Sequence, residues 1–556
     1  MTGVPDELVT HPETVLYDGE ILTVDESFGV AEAVAVRDGR FLAVGDTDAI
    51  RALAGPETEE IDLAGRTAIP GLVDSHVHLR QVGTDLDRVT LFDARTIADV
   101  QAAIREVAEQ TPDGEWVTAG WGWHESALAE DRLPTRWELD EAAPANPVYV
   151  PRGAHVAVLN SAGLERAGVD ADTPAPEGGT IVRDSETGPD TGSDPGRDEP
   201  NGVVIEAARE ELVEPVVPGR GYQEYVGDVK RAMAELNSRG VTAVLEPGLE
   251  REELRAFMAV ERDGDATVRV DALVRVYDLD DVSETAATFA RDFGTGRLKV
   301  GGVKYMLDGG VEGAKLSEPY EVVEGVQEQE DYHGHLLLPP GGEDELREMV
   351  REAAALGHQF QTHVVGDAAM DLLIDLYEDA DEVADVADLG WTFMHVFLPP
   401  DDVRERMLDL GVDCTVQNHP TYLGRNMELL WGEQRAAGAI PIRTLLDEGF
   451  TVGGGTDAPV VPWFPFESIW WMVTRETVTA GSLGPAEAIS REEALRLWTR
   501  EAAATMGWDD EIGSVEPGKR ADLAVLDSDF LDCPADDLRE IGVDLTMVGG
   551  EIVHEA

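Results

Sequence analysis

The chain has 556 residues, 43% of them hydrophobic, enough to bury a real core in one large domain with a smaller companion. Its 112 acidic residues outnumber 43 basic ones, for a formal net charge of −69. That balance excludes the basic patches that nucleic acid requires, and no stretch approaches the roughly 20 apolar residues of a membrane span.

The acid excess can mark disorder, but regular apolar segments run the whole length and argue against it. It reads instead as a carboxylate coat that keeps a folded protein soluble where salt screens repulsion, as on the proteins of extreme halophiles. An acidic substrate then needs a metal or local arginines to offset the field. There are five lysines, Lys230, Lys299, Lys304, Lys315 and Lys519. Cys414 and Cys533 make neither a disulfide framework nor a Cys-rich metal site. Met1 to Glu20 is acidic and lacks a basic-then-apolar signal pattern, which predicts a cytoplasmic protein.

From Thr14 to Ala68 short alternating runs separated by turns predict strands: Val15–Tyr17, Ile21–Val24, Ala33–Val36 and Phe41–Val44. The far end matches, with Asp522–Leu526, Leu545–Val548 and Glu551–Val553. Two β-rich ends around a long middle predict one small domain built from both termini. The middle opens with Leu72–Leu79, read as a strand carrying His76 and His78. Residues two apart on a strand share a side, so two imidazoles can grip one metal there. About 160 residues precede the next strand, so that stretch is an insertion; it holds a Trp-rich segment, Trp116–His124, and a Gly/Asp/Pro-rich run, Asp184–Pro200, read as a solvated loop.

Seven further strands follow: Val241–Glu246, Val268–Val276, Leu298–Met306, Phe360–Val365, Trp391–Val396, Asp413–Gln417 and Thr451–Gly455. Alternation of strands with helical stretches predicts a parallel α/β fold, and eight strands predict a (β/α)8 TIM barrel. Chemistry-bearing residues stand at the predicted strand ends: His76 and His78, Lys304, His363, His395 and Asp457. In a barrel those ends converge on one face. A buried histidine is often just a satisfied core residue, Lys304 has an alternative as an ion pair with Asp308, and Asp457 one as a turn cap. Yet lysine is scarce here, and an apolar strand is a costly place for an ammonium. A lysine carboxylated by carbon dioxide becomes an anionic oxygen donor able to bridge two metals. Asp457 as a ligand also accepts a proton from an activated water, as a hydrolase requires.

Five segments together resemble the amidohydrolase superfamily, and within it the YtcJ-like, amidohydrolase-3 branch that includes N-substituted formamide deformylases. They are Ile69–His78, Leu159–Leu164, His363–Ala369, Gly455–Pro459 and Gly513–Leu523. The resemblance implies a barrel over 69–511 with an insertion at about 80–235, and a β-sandwich from 1–68 plus 512–556. It also implies one or two divalent metals, usually zinc, held by His76, His78, Lys304, His363, His395 and Asp457, and commonly a homodimer. Many relatives carry an Asp where this chain has His124, and Gln417-Asn418-His419 lacks a proline common after the glutamine. His155 matches a position that tends to face the site. His124, His155, Gln417 and His419 are accordingly candidate substrate contacts.

The expected activity is hydrolysis of a C–N bond in a small amide-like molecule by an activated water, with Asp457 taking the proton and returning it to the leaving nitrogen. Decarboxylation or isomerisation on the same metal site, and a non-catalytic relative, are the alternatives.

Overall fold

Eight apolar runs pair side by side as parallel strands of one sheet, in a computed structural model that describes residues 11–153, 156–176, 178–183, 199–323, 327 and 329–556. The strands are β1 (Leu72–Asp74), β2 (Val241–Leu249), β3 (Arg269–Arg275), β4 (Leu298–Met306), β5 (Gln359–Val364), β6 (Thr392–His395), β7 (Asp413–Gln417) and β8 (Val452–Gly455). Each pairs with the next from β1 to β8, making a nearly closed parallel barrel. Their near-continuous burial is what parallel strands covered on both faces require. Gly71 marks the tight entry to β1, because a Cβ there would lie 2.2 Å from Thr242 Oγ1 on β2.

The chain divides into two compact units, one from Met1–His78, Ala232–Thr456 and Phe464–Ala556, the other from Leu79–Arg231 with Asp457–Trp463. The first contains the barrel and two terminal sheets. One sheet runs Arg40–Gly45, Ala33–Arg37, Thr14–Tyr17, Glu59–Asp62. The other joins both ends of the sequence, in the order Glu551–Glu555, Val543–Val548, Leu523–Leu526, Thr67–Pro70, Glu20–Leu22, Val30–Ala31. Leu16, Val34 and Phe41 from the first sheet and Ile21, Leu523 and Met547 from the second share one buried cluster. A buried two-bond ion pair ties β3 to the C-terminal segment: Arg269 Nε and Nη2 reach the Asp522 carboxylate at 2.7 and 2.8 Å. Lys299 Nζ lies 3.3 Å from Asp271 on the neighbouring strand and packs over the Trp508 ring. Burial pushes the Asp271 carboxyl up to about 6 even though Lys299 opposes the shift.

The second unit has a five-stranded sheet in the order Gly179–Arg183, Pro200–Glu206, Val156–Leu159, Val148–Arg152, Val117–Thr118. Its core joins Ile97, Val100 and Ile104 of one helix with Val148, Val150 and Val158 of the sheet. Asn160 explains the Leu159–Leu164 motif. Its Oδ1 accepts from Gly163 N and Val148 N, capping the helix Ser161–Ala167, while Nδ2 donates to Ala143 O and Asn146 O. Every hydrogen-bonding position of this buried amide is filled, as burial demands. Most of the Asp184–Pro200 run lies outside the described residues. No helix among the described residues is long and apolar enough to cross a membrane.

Candidate active site

Strand β1 ends at Asp74, so His76 and His78 stand in the turn beyond it rather than in the strand. Their placement does not come from strand alternation. Asp74 is fully buried and fixes that turn: Oδ1 accepts from His76 N at 3.1 Å and Thr456 N at 3.0 Å, and Oδ2 accepts from Thr456 Oγ1 at 2.7 Å. Ser75 adds two bonds to Gly454 O, one from its amide and one from its hydroxyl. These bonds draw the end of β1 to the end of β8. They need Gly455, where a Cβ would come within 2.8 Å of both Asp74 Oδ1 and His76 N.

Asp457 follows Thr456 by one peptide bond, and chain connectivity sets it beside that clamp. His76, His395 and Asp457 are all buried, and each offers a ligand atom within 4.8 Å of the other two. His395 (φ 80°) and Asp457 (φ 59°) both occupy the left-handed region that non-glycine residues rarely adopt, a strain typical of functional positions. The rings of His76 and His395 are 4.6 Å apart, and the His363 ring lies 4.5 Å from that of His395. The His78 ring is 5.6 Å from that of His76, and its Nδ1 lies 3.7 Å from Glu246 Oε1. Lys304 is buried on β4 with its ammonium against Met394 Sδ.

Gln417, at the end of β7, holds His395. His395 Nδ1 lies 2.7 Å from Gln417 Oε1, and Gln417 Nε2 donates to Thr415 Oγ1 at 3.1 Å. A ring that donates Nδ1–H to that oxygen keeps a lone pair on Nε2 for a metal. His419 is buried, with its ring 5.5 Å from that of His395 and 5.3 Å from that of Phe397. His124 caps a short helical turn by accepting from Ser126 N at 3.1 Å. His155 lies outside the described residues.

Asp308 does not serve as the simple partner of Lys304. It accepts from the backbone amides of Lys315, Val365 and Gly366, joining the loops after β4 and β5, and lies 3.9 Å from His363 Nε2. Burial pushes its carboxyl up to about 7 against those three bonds. Asp74, Glu246 and Asp308 are the carboxylates that sequence reasoning left without a site role. Their signal was an acidic side chain within or directly after an apolar strand, in a chain whose other acids find water easily.

Two imidazoles and a carboxylate converging on one buried point make a donor set suited to a divalent metal. A family model described as the amidohydrolase family matches residues 59–554. The chain is 30% identical to the N-substituted formamide deformylase of Arthrobacter pascens over 98% of each chain. It is 26% identical to the protein YtcJ of Bacillus subtilis, over 98% of this chain and 99% of that one. Among solved structures it is similar to an uncharacterized metal-dependent hydrolase from Pyrococcus furiosus, with 28% identity, a TM-score of 0.71, and 93% of this chain and all of that one covered.

Proposed function

This chain belongs to the amidohydrolase family and is a metal-dependent hydrolase of carbon–nitrogen bonds, and from that premise we propose which of its residues do the work. The observation that carries the reading is the buried group of His76, His395 and Asp457. We assign His76, His78, His395 and Asp457 as ligands of a divalent metal, zinc in the first instance. His363 and a carboxylated Lys304 complete a second position. When bound, the metal acidifies a water and polarises the substrate carbonyl.

The rest is done by the chain. Asp457 accepts a proton from the attacking water. The water oxygen bonds to the amide carbon, the C–N bond breaks, and Asp457 returns the proton to the departing nitrogen, so that amide and water become acid and amine. Gln417 keeps His395 in the tautomer that presents Nε2. Glu246 lies near His78 Nδ1 and orients that ring. The His419 ring lies 5.5 Å from that of His395, and we assign His419, His124 and His155 as substrate contacts. The likeness to a formamide deformylase over nearly all of both chains supports a small N-substituted amide as substrate.

We assign 1–68 with 512–556 to a β-sandwich domain and 69–511 to the barrel, with 80–235 inserted after β1. The shared cluster of the two terminal sheets supports the first assignment, and the separate compactness of Leu79–Arg231 supports the last. The net charge of −69 supports a cytoplasm rich in salt as the working environment. A homodimer completes the proposal.

The test is Asp457→Asn. Turnover of an N-substituted formamide should fall by at least about 1000-fold while most of the bound metal remains. Turnover near that of the wild type removes Asp457 from the proton path.

A further inference from the structure

The two ends of β3 treat their arginines differently. Arg269, at the strand's start, is neutralised by its two bonds to Asp522. Lys299, near the start of β4, has Asp271 at 3.3 Å and Asp292 at 3.2 Å. Arg275, at the C-terminal end of β3, differs: among the described residues no carboxylate forms an ion pair with it. In a chain with 112 acidic residues against 43 basic ones, a guanidinium left without a carboxylate runs against the composition.

Neutral groups hold it instead. Arg275 Nη2 lies 3.1 Å from Met306 Sδ, and the guanidinium sits 5.1 Å from the centre of the Tyr277 ring. Tyr277 is fixed in turn: its hydroxyl donates to Glu250 Oε1 at 2.6 Å and its amide to Asp281 Oδ2 at 3.0 Å. A thioether and an aromatic face place the fork without cancelling its charge. The side chain is only half-buried, so its remaining donors stay open to a ligand.

Register sets which side of the barrel Arg275 serves. It pairs with Lys304 on β4, and Met306, two residues beyond Lys304, pairs with His363 on β5. Residues two apart on a strand share a face, so Arg275 lies on the side of Leu273, whose buried cluster includes Met394, the residue that Lys304 meets. Arg275 therefore stands at the C-terminal end of the strands, where parallel barrels keep their active sites, on the face that carries Lys304 and His363. It belongs to the same compact unit as His76, His78, His363 and His395. Strands β3 and β5 flank β4 at about 4.8 Å per strand, which puts the Cα atoms of Arg275 and His363 on the order of 10 Å apart. We infer that Arg275 is a specificity residue that receives a carboxylate of the substrate, selecting amides with an acid on a short chain over neutral ones. The inference rests on the amide-hydrolase reading above. A planar two-oxygen anion matches the guanidinium fork. The net charge of −69 repels anions at long range, so preference for an acid has to come from a local contact of this kind.

The experiment measures kcat/KM for the N-formyl derivatives of glycine, β-alanine and γ-aminobutyrate and for their carboxamides, at one fixed ionic strength, on the metal-loaded enzyme and on Arg275→Gln and Arg275→Lys. At the best chain length the wild type should favour the acid by roughly 10- to 100-fold, as charge-assisted bonds allow. Arg275→Gln should cut that ratio at least about fivefold, chiefly through the KM of the acid, and Arg275→Lys should keep part of it. The ratio compares acid and carboxamide on one protein, so a loss of fold or metal cancels. Equal kcat/KM at every chain length in an active wild type overturns the inference and leaves the amide-hydrolase reading intact, as does an acid preference that Arg275→Gln retains. If no compound is hydrolysed, that reading is what fails, and calorimetry with the same compounds decides Arg275. Binding of the acid over the carboxamide, lost in Arg275→Gln, supports the inference; equal or absent binding overturns it.

Discussion

Replacing Gln417 with alanine separates two roles that its position allows. Read from sequence, it ends a barrel strand and faces substrate. In the structure its Oε1 lies 2.7 Å from His395 Nδ1, and both side chains are buried. Removing the amide leaves the ring N–H without an acceptor in a site that excludes water, at a cost of about 1–3 kcal/mol. It also frees the imidazole to adopt the other tautomer, which turns a proton rather than a lone pair toward Asp457. Losing such an outer partner of a metal ligand lowers metal affinity or activity by roughly 10- to 100-fold. The assay is competition with a chelator to obtain the metal dissociation constant, alongside kcat and KM on metal-saturated protein. Gln417→Ala should weaken metal binding by that factor and lower kcat. Gln417→Glu, which keeps an oxygen near Nδ1, should restore much of the affinity. A raised KM in Gln417→Ala with kcat and metal affinity unchanged would refute the reasoning and make Gln417 a substrate contact.

Asp74→Ala removes three accepted hydrogen bonds at the join of β1 and β8. Unfolding free energy should drop by about 3–5 kcal/mol in denaturant titration, with metal lost as the turn loosens; a loss under 1 kcal/mol would show that the join does not depend on this carboxylate. Asp271 gives a pH signature. Its folded pKa of about 6 lies above the ordinary 3.8, so between pH 4 and 6 the unfolded chain releases this proton first and stability falls as pH rises, by up to about 3 kcal/mol, then stays flat. Asp271→Asn should lack that component, and an identical slope in both proteins between pH 4 and 6 would contradict it. Elemental analysis of Lys304→Ala should find one metal fewer per chain than in wild type; equal content in the two would make Lys304 structural.

The barrel was legible in the sequence because its strands are short apolar runs spaced by helices, and seven of the eight predicted segments overlap the observed strands nearly end to end. The exception is informative. Leu72–Leu79 is apolar enough to continue as a strand, but Asp74 turns inward to collect amides from His76 and Thr456, and the strand stops there. Nothing local announces that, because the acceptor and one donor are more than 380 residues apart in sequence. His124 shows the reverse: its capping bond to Ser126 is local.

The sheet that joins the two ends of the sequence sets a timetable for the nascent chain. Strand Thr67–Pro70 pairs antiparallel with Leu523–Leu526, with Ile69 opposite Ala524. At roughly 5–20 residues per second on the ribosome, the second strand emerges some 20–90 seconds after the first. For that interval Thr67–Pro70 presents an open edge, and Asp522 is not yet there to neutralise Arg269. A chain cut short between residues 456 and 522 therefore has all eight barrel strands and an unpaired strand exposed, a product prone to aggregate and a target for chaperones and proteases.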